Sequence, residues 1–534
     1  MKILIENFGP VKSIEIDLNK LMIFVGRNNS GKSYISLLID IINKSFLELK
    51  EQLIELVDLH RYDFISEFQN DDYFLPWMLR VVGSLPIKAF NYESIYKKIT
   101  KETIDKYIST IEGKMSLKYP FKSRVLIPEE VVKSSYEYFV SFINERFGTI
   151  FLRKLTKKFS SKISDLINFD AENSKIAIIC KNVEVSLNLR KKDNDVLVSF
   201  QFLKTQKSLL KAKQPLKNIE YEIERYFKAK TRLKEKFKND ILNLTSNVIF
   251  GVIFKEVMEL IMRNFLKTIY IPSTRSGLIQ AYETISLAYI QLAPEIPLTK
   301  IDFPTLSGIS TDFITELYKS RRKPISYREK DKKFLKQMGK IVDFIETNIL
   351  FGKIEIKKGK EKLGYYITYN IIGHEIPLYR ASSMVSELAS LVIFLKNLIL
   401  PRDLLIFEEP ESHLHPDSQM QIAMLISMLI KNSVNFIITT HSDFLLGQIN
   451  NFIKASNLSL KEIKRIYGEN LAISKEDVSL NLFVRNDELN ETTVKKIELD
   501  DFGMTEDIFY KITAELYQKS SIITELLNQK IADE

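Results

Sequence analysis

The ten residues Phe24 to Ser33 read FVGRNNSGKS, with Gly26, four intervening residues and then Gly31-Lys32-Ser33. No other stretch constrains the chain as tightly. Just before it, Leu21 to Val25 (LMIFV) is a short continuous apolar run, the pattern of a parallel strand covered on both faces. Tyr34 to Ile42 follows with helical spacing. Strand, glycine-bearing loop, helix is the order in which successive backbone N–H groups curl toward an anion while the helix dipole adds to the attraction. In this reading Gly26, Arg27, Asn28, Asn29, Ser30 and Gly31 cradle the phosphates of ATP, Lys32 reaches the β and γ phosphates, and Ser33 ligates Mg²⁺. The bland alternative is an ordinary polar turn.

A phosphate loop needs a carboxylate at the end of a neighbouring strand, and LLIFEEPESHLHP, Leu404 to Pro416, offers one 376 residues after Lys32. Leu404 to Phe407 reads as a buried parallel strand that carries Glu408 and Glu409 at its C-terminal edge, where α/β sheets place their ligands. Glu408 is expected in the Mg²⁺ shell and Glu409 as the base that orients and deprotonates the attacking water. A third strand, Val434 to Thr439, ends in Thr440 and His441, a position from which an imidazole contacts the γ-phosphate or stabilises the transition state. Glu411, His413 and His415 also admit a metal-cluster reading, which lacks a fourth ligand.

Taken with ASSMVSEL (Ala381 to Leu388) and ITTHSD, these stretches resemble the ABC-type ATPase heads of the RecF, SMC and overcoming-lysogenization-defect group. The opening phrase IENFGPVKSIEIDL is similar to the start of those heads. The resemblance implies an α/β fold: an ABC-type P-loop ATPase head with a large, mostly helical insertion and a short α-helical C-terminal region. It implies that Ser382 and Ser383 lie in a signature loop that caps ATP on the opposite subunit, that Ser412 to His415 form the D-loop, and that His441 is the switch histidine. Two departures stand out: Ser383 and Met384 stand where the resembled signature has two adjacent glycines after its Ser, and Glu408 replaces the commoner Asp. Ser382 and Ser383 also read as helix caps, since a helical run from Ser386 follows.

The long interval between loop and acids predicts insertions. Residues 1–45 are read as the N-terminal part of the head, and 46–265 as an inserted, mostly helical domain with a strand meander at Lys175 to Phe202. Residues 266–465 form the rest of the head, with a minor helical insertion near 300–350, and 466–534 a helical C-terminal region. Asp193 and Asp195 in the meander read as turn chemistry. Arg275, after the strand in TIYIPSTRSG, is either a phosphate or interface contact or the partner of a structural carboxylate. Lys353 to Tyr369 alternates as a hairpin.

The net charge of +9 is concentrated: Leu203 to Asn239 holds twelve Lys or Arg against four Glu, and Lys319 to Lys336 is a second basic knot. Such runs either release counterions from a nucleic acid or form a solvated helix face. The one cysteine, Cys180, excludes an internal disulfide and suits a reducing compartment. Met1 to Asn7 lacks a secretory pattern, and charges interrupt the longest apolar stretches, so a cytoplasmic protein without a membrane span is expected. Among the 93 residues after His441 there is no strand-borne Glu with a later Asp-x-Asp pair, so no TOPRIM nuclease is expected there.

The leading expectation is an ATPase whose heads close on ATP as a homodimer or higher oligomer and control a separate effector, a nuclease or toxin, in antiviral defence or DNA repair. Two alternatives stay open: an ATP-binding scaffold with little turnover that sequesters an effector, and the ATPase subunit of a transporter.

Overall fold

The computed structural model describes residues 1–56, 129–202, 253–254, 257–280, 307–320, 332–358, 365–486, 488, 491–504 and 517–524. In chain order its main elements are β1 (Lys2–Phe8), β2 (Val11–Asp17), β3 (Leu21–Gly26), α1 (Lys32–Leu56), α2 (Glu129–Phe159), β4 (Asn173–Ile179), β5 (Val183–Arg190) and β6 (Asp195–Phe202). Next come β7 (Thr268–Ile271), α3 (Gly308–Ser320), α4 (Lys332–Phe344), β8 (Lys353–Lys358), β9 (Tyr365–Ile371), β10 (His374–Pro377) and α5 (Ser383–Asn397). The last are β11 (Leu404–Glu408), α6 (Pro416–Lys431), β12 (Asn435–Thr440), α7 (Asp443–Lys454), α8 (Leu460–Tyr467), β13 (Val478–Asn486) and β14 (Glu491–Ile497). The α/β class expected from the sequence is the one that forms.

The chain divides into two compact units, one made of Met1–Ile5, Ile41–Thr156 and Lys162–Leu266, the other of Glu6–Asp40, Lys157–Ser161 and Lys267–Glu534. In the first unit β4, β5 and β6 form an antiparallel meander. Strict alternation in β5 buries every second residue, as a sheet with one covered face requires. Phe46, Phe147, Phe200 and Phe265 pack ring against ring there, so these aromatics are core.

In the second unit the strands run in the order β2-β14-β13-β3-β12-β11-β7. From β13 to β7 every neighbouring pair is parallel. That arrangement explains the composition of β3 and β11: each is flanked by parallel neighbours and covered on both faces, and five consecutive positions of each are buried. Phe313 of α3, Ile341 of α4, Leu391 of α5, Leu425 of α6 and Ile449 of α7 share one hydrophobic core with Ile23 and Leu405. The hairpin expected at Lys353 to Tyr369 is formed by β8 and β9, which pair antiparallel.

The C-terminal region departs from expectation. Where 466–534 was read as helical, β13 and β14 pair with each other, and β13 lies directly beside β3. The physical reason is a period of two, not 3.6: VSLNLF alternates apolar residues with Ser479 and Asn481, whose buried side chains hydrogen-bond one another at 3.2 Å. After β14, the described residues show helix only at 517–524. The basic segment 203–239, residues 321–331 of the second basic knot and residues 57–128 of the insertion expected at 46–265 lie outside the described residues.

Candidate functional site

The geometry begins at the C-terminal ends of three adjacent strands. β12 stands between β3 and β11, with Val25 opposite Thr440 and Thr439 opposite Glu408. Two strand spacings therefore separate the phosphate loop from Glu408, about 10 Å across the sheet. Residues 376 apart in sequence meet at one sheet edge.

Local conformation explains the loop's residue types. Gly26 has φ 150° and Gly31 φ 91°. A Cβ at Gly26 would press on the Phe483 carbonyl oxygen, and one at Gly31 would lie 2.8 Å from Val11 Cγ2. Arg27, Asn28 and Asn29 are exposed, and so is Ser33 in the first turn of α1. The Ser30 hydroxyl is fully buried and has no hydrogen-bond partner among the described residues. Lys32 is only 6% exposed, and its Nζ donates to the carbonyls of Gly26 and Arg27, each at 2.8 Å. Burial lowers its pKa from the ordinary 10.5, while the charges of Glu409, Glu411 and Glu408 pull it back up. The ammonium is thus held by the carbonyls of its own loop within the field of three carboxylates.

The acids are held with equal specificity. Glu408 Oε1 accepts from the Tyr270 hydroxyl at 2.8 Å, and its Oε2 accepts from the Ser273 N–H at 3.1 Å. Burial and the Glu408 charge raise the Tyr270 pKa well above the usual phenol range, so it stays a donor. Glu409 adopts φ 42°, a left-handed conformation that costs a non-glycine residue free energy, and its N–H donates to the Thr439 carbonyl at 2.9 Å. The Ser412 hydroxyl donates to Glu409 Oε2 at 3.3 Å. His441 lies just past β12 and is 47% exposed, with Nδ1 3.4 Å from Glu411 Oε1.

Behind the acids lies Arg275, fully buried. It donates through Nη1 to the carbonyls of Pro272 and Glu408, and through Nη2 to that of Glu409 at 3.0 Å. The structural-carboxylate reading is the one that holds, since its Nε is 2.8 Å from Glu387 Oε2. Burial lowers the Arg275 pKa, and the nearby glutamates oppose the shift. Ser382 caps α5, its side chain accepting from the Val385 N–H at 3.4 Å, and Ser383 is exposed beside it. The metal-cluster alternative dissolves. Glu411 turns to Thr440 and His441, His413 faces Glu387 at 3.9 Å, and His415 caps α6.

Sequence reasoning missed Tyr270, Glu387, Thr439 and Arg485. Arg485, on β13, donates through Nη1 to the Asn29 carbonyl at 2.7 Å and steadies the loop from the side. Only Tyr270 carried a readable signal, as a polar-tipped residue flanked by Ile269 and Ile271 in a fully buried strand.

The residue set suits a magnesium nucleotide on these observations: positive-φ glycines, a buried lysine, and the hard oxygen donors of Ser33 and Glu408 at one sheet edge.

A family model described as AAA ATPase domain matches residues 1–446. No curated protein matches the chain. Among solved structures, an Smc head bound to the C-winged helix domain of ScpA is similar at TM-score 0.37 and 11% identity, covering 93% of this chain and 97% of that one. The SMC head domain from Thermotoga maritima gives TM-score 0.33 and 9% identity over 93% and 98% of the two chains. The recombination mediator protein RecF gives 0.32 and 10% over 93% and 97%.

Proposed function

The chain belongs to the AAA ATPase domain family and is a P-loop ATPase, and on that premise we propose the following division of labour in its site. Gly26 to Gly31 present backbone N–H groups to the phosphates of ATP, and Lys32 binds the terminal phosphates. Ser33 and Glu408 would hold Mg²⁺, the Glu408 carboxylate being oriented by Tyr270 and Ser273. When bound, Mg²⁺ would supply charge neutralisation on the triphosphate. Glu409 orients the attacking water and takes its proton, with Ser412 fixing the carboxylate. His441 meets the terminal phosphate and stabilises charge there.

The observation that carries this reading is the strand order β3-β12-β11, which supports bringing Lys32 and the acids to one edge. Glu409→Gln tests it. Loss of turnover by about two to four orders of magnitude with ATP affinity retained is expected, whereas unchanged turnover removes Glu409 from the base role. Chelation of Mg²⁺ is expected to abolish turnover as well.

The wider proposal is a homodimer or higher oligomer closing on ATP, with Ser382 and Ser383 capping the nucleotide of the opposite subunit. It controls a separate nuclease or toxin in antiviral defence or DNA repair. Support comes from the resemblance of the EEPESHLHP and signature phrases to the RecF-like group. The basic segment 203–239 is the proposed nucleic-acid contact, tested by the salt dependence of binding after neutralising Lys228, Lys230, Arg232 and Lys234. The proposed location is the cytoplasm; among the described residues no helix is long and apolar enough to cross a membrane.

One observation favours the second reading, a nucleotide-locked scaffold: Ser383 and Met384 stand where the resembled signature has two glycines. ATP-dependent dimers that form fully while turnover stays at the Glu409→Gln level would select it.

A further inference from the structure

Glu411 has a place in the site that the phosphate loop and the acid pair leave unexplained. It is only 5% exposed, and two donors pin its Oε1: the Thr440 hydroxyl at 2.8 Å and the His441 backbone N–H at 2.9 Å. The Nδ1 of the His441 imidazole lies 3.4 Å from that same oxygen, while 47% of the side chain stays exposed. The other carboxylate oxygen, Oε2, is buried with no hydrogen-bond partner among the described residues. The charge of Glu411 is also felt by Lys32 and by Arg275, which puts it inside the electrostatic network of the site.

A carboxylate offers only acceptors, so an imidazole nitrogen facing it must carry the hydrogen. We infer that Glu411 is the positioning residue for His441: it holds the ring with hydrogen on Nδ1 and leaves Nε2 as the nitrogen presented to the bound triphosphate. The inference rests on the role proposed above for His441. The pinning of Oε1 by two neighbouring donors fixes the carboxylate before the ring meets it, and the same arrangement sets histidine tautomers at other sites. Glu411 touches neither substrate nor metal in this account.

The test is the tautomer of His441, read by two-bond ¹H–¹⁵N correlation on nucleotide-free, full-length protein with ¹⁵N-histidine and assigned with His441→Asn. Hydrogen on Nδ1 is expected in the wild type. Glu411→Gln is expected to keep that tautomer, because its amide oxygen still accepts, and to retain most of the turnover. Glu411→Ala is expected to shift the ring toward hydrogen on Nε2 and to lower kcat roughly tenfold, with KM little changed. Hydrogen on Nε2 in the wild type overturns the inference, and so does an unchanged tautomer in a folded Glu411→Ala variant. If that variant does not fold, the wild-type and Glu411→Gln spectra decide. Full turnover in His441→Ala would instead remove the role of His441 itself, a separate outcome from the tautomer measurement.

Discussion

The Nε of Arg275 lies 2.8 Å from a carboxylate oxygen of Glu387, while the other end of the same guanidinium holds the carbonyls of Glu408 and Glu409. Arg275 is fully buried and Glu387 is 1% exposed, so the pair ties the first turns of α5, with Ser382 at its cap, to the strand that carries the acids. Breaking one partner of a buried pair leaves the other as an uncompensated charge. Glu387→Ala is expected to lower unfolding stability by about 3–5 kcal/mol, read from denaturant midpoints. Arg275→Lys, which keeps the charge but not the fork, is expected to lower kcat more than it changes ATP affinity.

Gly26→Ala is expected to disrupt the site through β13, not through the nucleotide. The added Cβ meets the Phe483 backbone, which cannot rotate away as a side-chain tip could, and φ 150° is itself unfavourable for alanine. About 1–3 kcal/mol of stability should be lost, together with ATP affinity. A thermal melt and a nucleotide titration check both, and a melting point equal to wild type would contradict the close approach.

How much of this was legible beforehand follows from where the information sits. The phosphate loop and the acid pair are contiguous runs whose residue types are dictated by local backbone geometry and by burial on both faces of a parallel sheet, and both features survive in one dimension. Arg485, Glu387 and Thr439 act through contacts that exist only once strands distant in sequence are neighbours, as when β13 lies against β3. β13 was not legible because its period of two is confined to the short run VSLNLF within a C-terminal region, 466–534, that reads as helical as a whole. Glu411 was legible as a residue type but not as an anchor, since its partners Thr440 and His441 come from another strand end.

Alkaline pH should move nucleotide binding and apo stability in opposite directions through Lys32. Its folded pKa is lowered from 10.5, so between the lowered value and 10.5 the folded protein binds fewer protons than the unfolded chain. The cost of burying the ammonium is fully present below that window and is relieved as pH rises through it, which raises this group's contribution to apo stability. ATP binding needs the ammonium, so affinity should fall over the same window. Lys32→Met is expected to flatten both trends, measured by melts and nucleotide titrations as pH is raised toward the ordinary lysine value of about 10.5. Identical pH slopes in variant and wild type would show that another group titrates there.

Arg485→Ala separates loop support from catalysis. The side chain reaches the Asn29 carbonyl at 2.7 Å, and Asn29 has φ 61°, so the bond helps hold a left-handed residue at the crest of the phosphate loop. Arg485 is partly exposed, which limits the net worth of the bond to about 1 kcal/mol, or roughly fivefold in an equilibrium constant. The expected result is therefore a several-fold rise in the Kd for ATP with kcat at saturation nearly unchanged, because the contact supports the cradle and leaves Glu409 and His441 untouched. Equal loss in kcat and Kd would instead mean that β13 shapes the hydrolytic half of the site. Asn29→Gly supplies the control: glycine adopts this conformation at no steric cost, so in that background the penalty for losing Arg485 should shrink.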